Sequence, residues 1–237
     1  MTAPPQLAGS APSKDLVYTL AAGVVLPPMG LWFRWHIMGL ENIPRRGPAL
    51  LAFNHVGYLD PLAIIYACSK AHRRPRFLTK TELFLDRRIG WLMRGTGQIE
   101  VKRGSRDAVQ ALGKALEALG RGELVTIFPE GTVTTDPDLN AMAPKSGVSR
   151  LALAASVPIT PCAIWGTSNV WPKGFKGSWR PGQPLLIKIG KPFSVTGSPD
   201  SPAAWVGAGR QIMDEIGALV ADLRPLVPDR RRPKKGA

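Results

Sequence analysis

What most constrains this chain is an alternation that begins near residue 36 and runs to residue 223, with short apolar runs separated by stretches of helical periodicity. Residues 49–53, 76–79, 99–101, 124–128, 159–165 and 185–189 are mostly apolar runs bounded by turn residues, which is the strand pattern. Between them, Ala108, Ala111, Leu112, Ala115, Leu116 and Leu119 fall at i, i+3, i+4, i+7, i+8 and i+11, one face of a helix that Gly120 and Gly122 stop. Residues 61–69 behind Asp60, and residues 146–155 and 202–223, also read as helices. Each element must bury its apolar face against another, and alternating strands and helices do so as a layered α/β domain. At 237 residues the chain can bury about 70–75% of its unfolded surface around one core.

Before the alternation, residues 1–13 are small and Pro-rich and read as a disordered leader. Residues 16–33 carry no charge, but Pro27 and Pro28 interrupt them, and the unbroken 11 residues of 16–26 make about 16 Å of helix against about 30 Å of bilayer core. The segment lacks the basic leader of a secretory signal. Residues 14–35 are therefore expected to form two short apolar helices around a Pro-Pro turn. Trp32, Phe33 and Trp35 beside Arg34 suit a headgroup boundary, as a monotopic membrane anchor. A hairpin packed on the protein's own core is the alternative. Residues 36–225 form the domain and residues 226–237, with Arg230, Arg231, Arg232, Lys234 and Lys235, a solvated basic tail.

The chain carries 31 basic and 17 acidic residues, a net +14, which calls for a polyanionic partner: nucleic acid, anionic lipid or a phosphorylated substrate. No zinc finger or other nucleic-acid motif is present, so no specific nucleic acid is expected. Eleven Lys or Arg crowd residues 70–106, among them Lys70, Arg73, Arg74 and Arg76, where a solvated or membrane-facing role is expected. Two cysteines, Cys68 and Cys162, exclude a disulfide scaffold and read as small buried hydrophobes in a reducing compartment. With three histidines and no HExxH, no metal site is expected.

The chemistry concentrates in Asn54-His55-Val56-Gly57-Tyr58-Leu59-Asp60-Pro61, a strand-to-helix turn where α/β folds place functional groups. Asp60 before Pro61 is a helix-start signal, and a plain N-cap is one reading of it. With His55 on the loop, the carboxylate can instead fold back onto the imidazole, fix its tautomer and leave the other ring nitrogen as a base. No Ser or Cys sits in a nucleophile-elbow motif, so such a base would activate a hydroxyl brought by the substrate. His36 and His72 read as interfacial and surface residues.

Asn54-His55-x4-Asp60 resembles the His-x4-Asp block of the glycerolipid acyltransferases of the PlsC, or 1-acylglycerol-3-phosphate acyltransferase, type. Four further blocks agree in order: residues 39–44 (GLENIP), residues 97–103 (GQIEVKR), residues 128–132 (FPEGT) and residues 157–161 (VPITP). One departure stands out. The third block commonly continues with Arg after its Thr, and this chain has Val133, so a phosphate contact there is either absent or supplied by another residue.

The resemblance, which spans residues 36–195, implies a mixed, mostly parallel central sheet flanked by helices. It implies transfer of a fatty acyl group from acyl-CoA or acyl carrier protein to the free hydroxyl of lysophosphatidate. The reaction would run at the cytoplasmic face of the cell membrane, against a phospholipid surface, with no cofactor. Glycerol-3-phosphate or another lysolipid is the alternative acceptor, and a basic protein that binds nucleic acid or a membrane surface without catalysis is the non-enzyme alternative. His55 and Asp60 would be catalytic. Arg103, supported by Lys102 and Lys80, would hold the acceptor phosphate, for which a guanidinium's two parallel hydrogen bonds are suited. By resemblance Glu130 helps to hold the acceptor; by its own chemistry it either pairs with an Arg or caps backbone amides. Gly131 permits close approach or a positive φ. Thr132 and Asn54 belong to the binding blocks, and Lys145 would reach the donor's phosphates.

Overall fold

The computed structural model describes residues 16–101, 105–155 and 157–233. The leader at 1–13, Lys102, Arg103, Lys234 and Lys235 lie outside the described residues. In chain order the elements are α1 (Leu16–Trp32), β1 (Phe33–Met38), β2 (Ala49–Phe53), α2 (Asp60–Lys70), β3 (Pro75–Lys80), α3 (Thr81–Leu85), α4 (Gly90–Gly95) and β4 (Ile99–Val101). They continue with α5 (Ser105–Gly120), β5 (Leu124–Ile127), α6 (Ser146–Ala155), β6 (Ile159–Trp165), β7 (Phe175–Lys176), β8 (Gln183–Ile189), α7 (Pro202–Leu223) and β9 (Arg232–Pro233).

Seven strands form one sheet in the order β1-β8-β6-β2-β5-β3-β4, in which β6 and β8 are the antiparallel neighbours and the other pairs run parallel. This is the expected mixed, mostly parallel α/β sheet. Its three central strands are apolar without alternation because both faces are covered, and every residue of β2, β5 and β6 is buried. Helix α7 turns Ala208, Ile212, Ile216, Val220 and Leu223 inward at helical spacing, and Ser201 caps its start by accepting from the Ala204 amide. The fourth block opens β6, where Ile159 and Thr160 are buried between β2 and β8.

Three expectations change. Residues 16–32 form one continuous helix through Pro27 and Pro28, not a pair around a turn. Two interior prolines cost roughly 3 kcal/mol each. The helix persists because tertiary packing fixes the part after them: Met29 is buried with Phe33, Leu59, Val170 and Leu185, and Trp35 Nε1–H donates to the Met29 carbonyl at 3.0 Å. Residues 33–38 then form an edge strand in register with β8, so the segment is part of the sheet. The inward Phe33, Trp35 and Ile37 against outward Arg34 and His36 are the period-2 pattern of a half-covered strand.

The arginine run at 73–76 is not a freely solvated face, because its guanidinium groups are bonded within the fold. Arg73 donates to the carbonyls of Pro44, Gly47 and Gly122, Arg74 to that of Thr96, and Arg76 to the Thr96 carbonyl and the Glu123 carboxylate. The tail is packed only in part: Val227 is buried and Arg231 half-buried, while residues 228–230 stay exposed. Val227 O accepts from Trp165 Nε1–H, the Arg230 amide donates to Asn169 Oδ1, and Arg231 bonds Asp229 and the Pro137 carbonyl while lying over the Phe175 ring.

Candidate active site

In the sheet order β6, β2 and β5 are adjacent and parallel, so the loops that leave them emerge at one end. Ligands of open α/β sheets bind at such carboxyl ends. The loop after β2 carries Asn54 to Leu59, the loop after β5 carries residues 128–134, and the loop after β6 carries residues 166–173.

Asp60 is the first residue of α2 and makes no side-chain cap to that helix, which removes the plain N-cap reading. Its Oδ2 accepts from His55 Nδ1 at 2.7 Å, from the Val56 amide at 2.7 Å and from the Gly57 amide at 3.0 Å. Its Oδ1 accepts from the Thr167 hydroxyl. Asp60 and Thr167 are both fully buried, so the carboxylate is immobilised and desolvated. The imidazole lies flat on Phe128, centroids 3.9 Å apart and planes within 15°, which fixes the ring's second degree of freedom. A carboxylate accepts only, so Nδ1 carries the hydrogen and Nε2 presents a lone pair. The side chain of His55 retains 13% exposure, enough for a ligand atom to reach it.

The main chain around His55 is held as tightly. Its amide donates to Glu130 Oε1 at 3.1 Å and its carbonyl accepts from the Thr134 amide at 2.7 Å. Glu130 Oε2 takes the Met142 amide at 3.2 Å, so of the two readings left open, the structure gives Glu130 the amide-capping one. Burial pushes its carboxyl up from the ordinary range, and the Met142 and His55 amides pull it part of the way back. The loop after β6 closes over the turn through Tyr58 N–H to Trp171 O at 2.9 Å. Gly57 fits that crossing closely: a Cβ there would sit 3.1 Å from the Thr167 and Trp171 main chains, so a larger residue would push the loop back by a few tenths of an ångström.

The chemistry of this end is thus a base with a buried orienting carboxylate, and a family model described as acyltransferase matches residues 34–165. This chain belongs to the acyltransferase family. It is 32% identical to a chloroplastic 1-acyl-sn-glycerol-3-phosphate acyltransferase of Brassica napus over 164 residues, 68% of this chain and 46% of the relative. It is 33% identical to the corresponding Arabidopsis thaliana protein over 68% of this chain and 44% of that one. The chain spans somewhat under half the length of these relatives. A crystal structure of the 1-acyl-sn-glycerophosphate acyltransferase PlsC from Thermotoga maritima superposes with a TM-score of 0.66 at 21% identity, covering 92% of this chain and 86% of that one, and shows the same fold.

The remaining sequence-chosen residues divide. Asn54, expected beside the substrate, is buried and bonds both the carbonyl (3.0 Å) and the amide (2.8 Å) of Ile164, tying β2 to β6 as scaffold. Gly131 has φ +70°, and its missing Cβ leaves 3.3 Å to the stem of Lys145, an exposed residue whose amide bonds Pro129 O at 2.8 Å. Lys80 is exposed at the end of β3, two strands from β2, in register with Val101. The sequence reading lacks Phe128's stacking role, Thr167 and Lys173. Thr167's one signal is its place just after a buried strand, the position that His55 occupies after β2.

Proposed function

We propose that the chain moves a fatty acyl group from an acyl thioester, on coenzyme A or an acyl carrier protein, to the free hydroxyl of lysophosphatidate, giving phosphatidate. The observation that carries this reading is the 2.7 Å bond from His55 Nδ1 to the buried Asp60 carboxylate, which leaves Nε2 as a base. Nε2 takes the acceptor's hydroxyl proton while that oxygen attacks the thioester carbonyl, and Asp60 stabilises the imidazolium. Collapse of the tetrahedral intermediate breaks the C–S bond, and the imidazolium returns its proton to the departing thiolate. A thioester is already activated, so neither an acyl-enzyme nor a cofactor is needed. Cys68 is a poor nucleophile, its thiol pushed up to about 12 by burial. The names of the Brassica and Arabidopsis relatives support the acceptor.

Thiol release from palmitoyl-CoA, with and without lysophosphatidate, tests the reaction. His55→Ala should lose about 10²–10⁴-fold in turnover and Asp60→Asn should be strongly impaired. Acceptor-independent release, or full activity in folded His55→Ala, sinks the reading.

The reaction's place in this proposal is the cytoplasmic face of the cell membrane. Leu16, Leu20, Val24 and Leu31 are 61–91% exposed along one side of α1, and Tyr58, Trp171 and Trp179 are half-exposed beside the catalytic turn. Among the described residues no helix is long and apolar enough to cross a membrane, so the support is for lying on it. Leu20→Glu with Val24→Glu should abolish co-sedimentation with anionic vesicles; unchanged binding would remove α1 from the membrane contact.

A further inference from the structure

Asp60 and Glu130 set two carboxyl groups under the catalytic turn, and a phosphomonoester brought there adds more negative charge. Of the described arginines of residues 73–94, Arg73, Arg74, Arg76 and Arg94 donate to main-chain carbonyls, and Arg87 and Arg88 are exposed between α3 and α4, outside the loops that follow β2, β5 and β6. Val133 is buried and offers only its carbonyl. Lys173, on the loop after β6, is different. Its Nζ lies 3.4 Å from Thr132 Oγ1 and 3.5 Å from Val133 O, and among the described residues it has no carboxylate partner. The next amide, Thr134 N–H, donates to the His55 carbonyl at 2.7 Å, so the ammonium is no more than about 8.5 Å from that oxygen.

We infer that Lys173, with the Thr132 hydroxyl, is the anion cradle for the acceptor's phosphate. The ammonium has three N–H groups and spends two on Thr132 Oγ1 and Val133 O, leaving one for a phosphate oxygen. Thr132 accepts from Lys173 and keeps its own O–H to donate. The cation missing from the third block at Val133 is thereby delivered from a segment 40 residues further along the chain. The phosphate's identity rests on the acyl-transfer reading, but the anion site does not.

Isothermal titration of glycerol 3-phosphate into the full chain, for wild type, Lys173→Gln and Lys173→Arg, tests the site. Loss of one charge-assisted contact should weaken binding by about 10- to 100-fold in Lys173→Gln, with most of it restored in Lys173→Arg. The ratio of kcat/KM for lysophosphatidate to that for the neutral 1-acylglycerol should fall by a similar factor. Equal binding in wild type and Lys173→Gln, or no binding by wild type, overturns the inference. So does an equal loss with both acceptors accompanied by a lower Tm, which would make Lys173 a structural tie of the loop. If Lys173-dependent binding persists but wild type acylates no acceptor, the anion site stands and the acyl-transfer reading falls.

Discussion

Two polar regions of this molecule use charge in opposite ways. Around residues 73–76 the arginines are consumed by the scaffold: the Arg76 guanidinium bonds Thr96 O at 2.7 Å and Glu123 Oε2 at 3.2 Å. At the carboxyl ends of β6, β2 and β5 the polar groups are just as closely held, yet the holding stops one atom short. Asp60 takes four donors through its two oxygens, and the described contacts engage the His55 ring through Nδ1 and its π-face, leaving Nε2. The difference teaches that charge density marks neither region as functional. Function lies where immobilised groups leave one donor or acceptor for a ligand.

The comparison breaks most visibly at Thr167. If its hydroxyl fixes the Asp60 carboxylate, Thr167→Val should lower kcat by about 10- to 100-fold and move the acidic limb of the pH–rate profile, while Thr167→Ser keeps both near wild type. A loss in Tm without any change in that profile would make Thr167 scaffold, like the arginines. At the other region Arg76→Met should destabilise by about 1.5–3 kcal/mol in urea unfolding, from lost charge-assisted bonds, while the remaining folded enzyme turns over normally. A kcat defect at unchanged stability would contradict the division.

The smallest effect sharpens the electrostatics of the turn. Burial raises Glu130, so folding strengthens its proton binding; its ionisation is a penalty absent below the unfolded carboxyl range and fully present above the raised folded value. Wild type should therefore lose stability relative to Glu130→Gln as pH rises through that window, on top of a constant offset from the amide bond that Gln does not replace. A flat difference between about pH 4 and 8 would remove the desolvation account.

The layered fold was legible because continuous apolar runs such as ALLAF and ITPCAIW leave little alternative to strands buried on both faces, and because α7 repeats its apolar residues at helical spacing. His55 and Asp60 were legible because they share one turn. The N-terminal helix was misread because local proline penalties are outweighed by the seating of Met29 and Trp35, contacts made with β8, α2 and residues near 170. The arginine run was misread because its acceptors, the carbonyls of Pro44, Gly47, Thr96 and Gly122, are main-chain groups with no sequence signature.

By itself the sequence determined the alternation of elements, the buried strands and the base with its carboxylate, since each depends on neighbours a few residues apart. Only the tertiary structure decided which oxygen of Asp60 meets Thr167 and which loop receives Lys173. The parallel order β6-β2-β5 brings those loops together, so residues 107 and 40 positions apart come within bonding distance. Hydrogen bonds act over about 3 Å of space, whatever the separation along the chain.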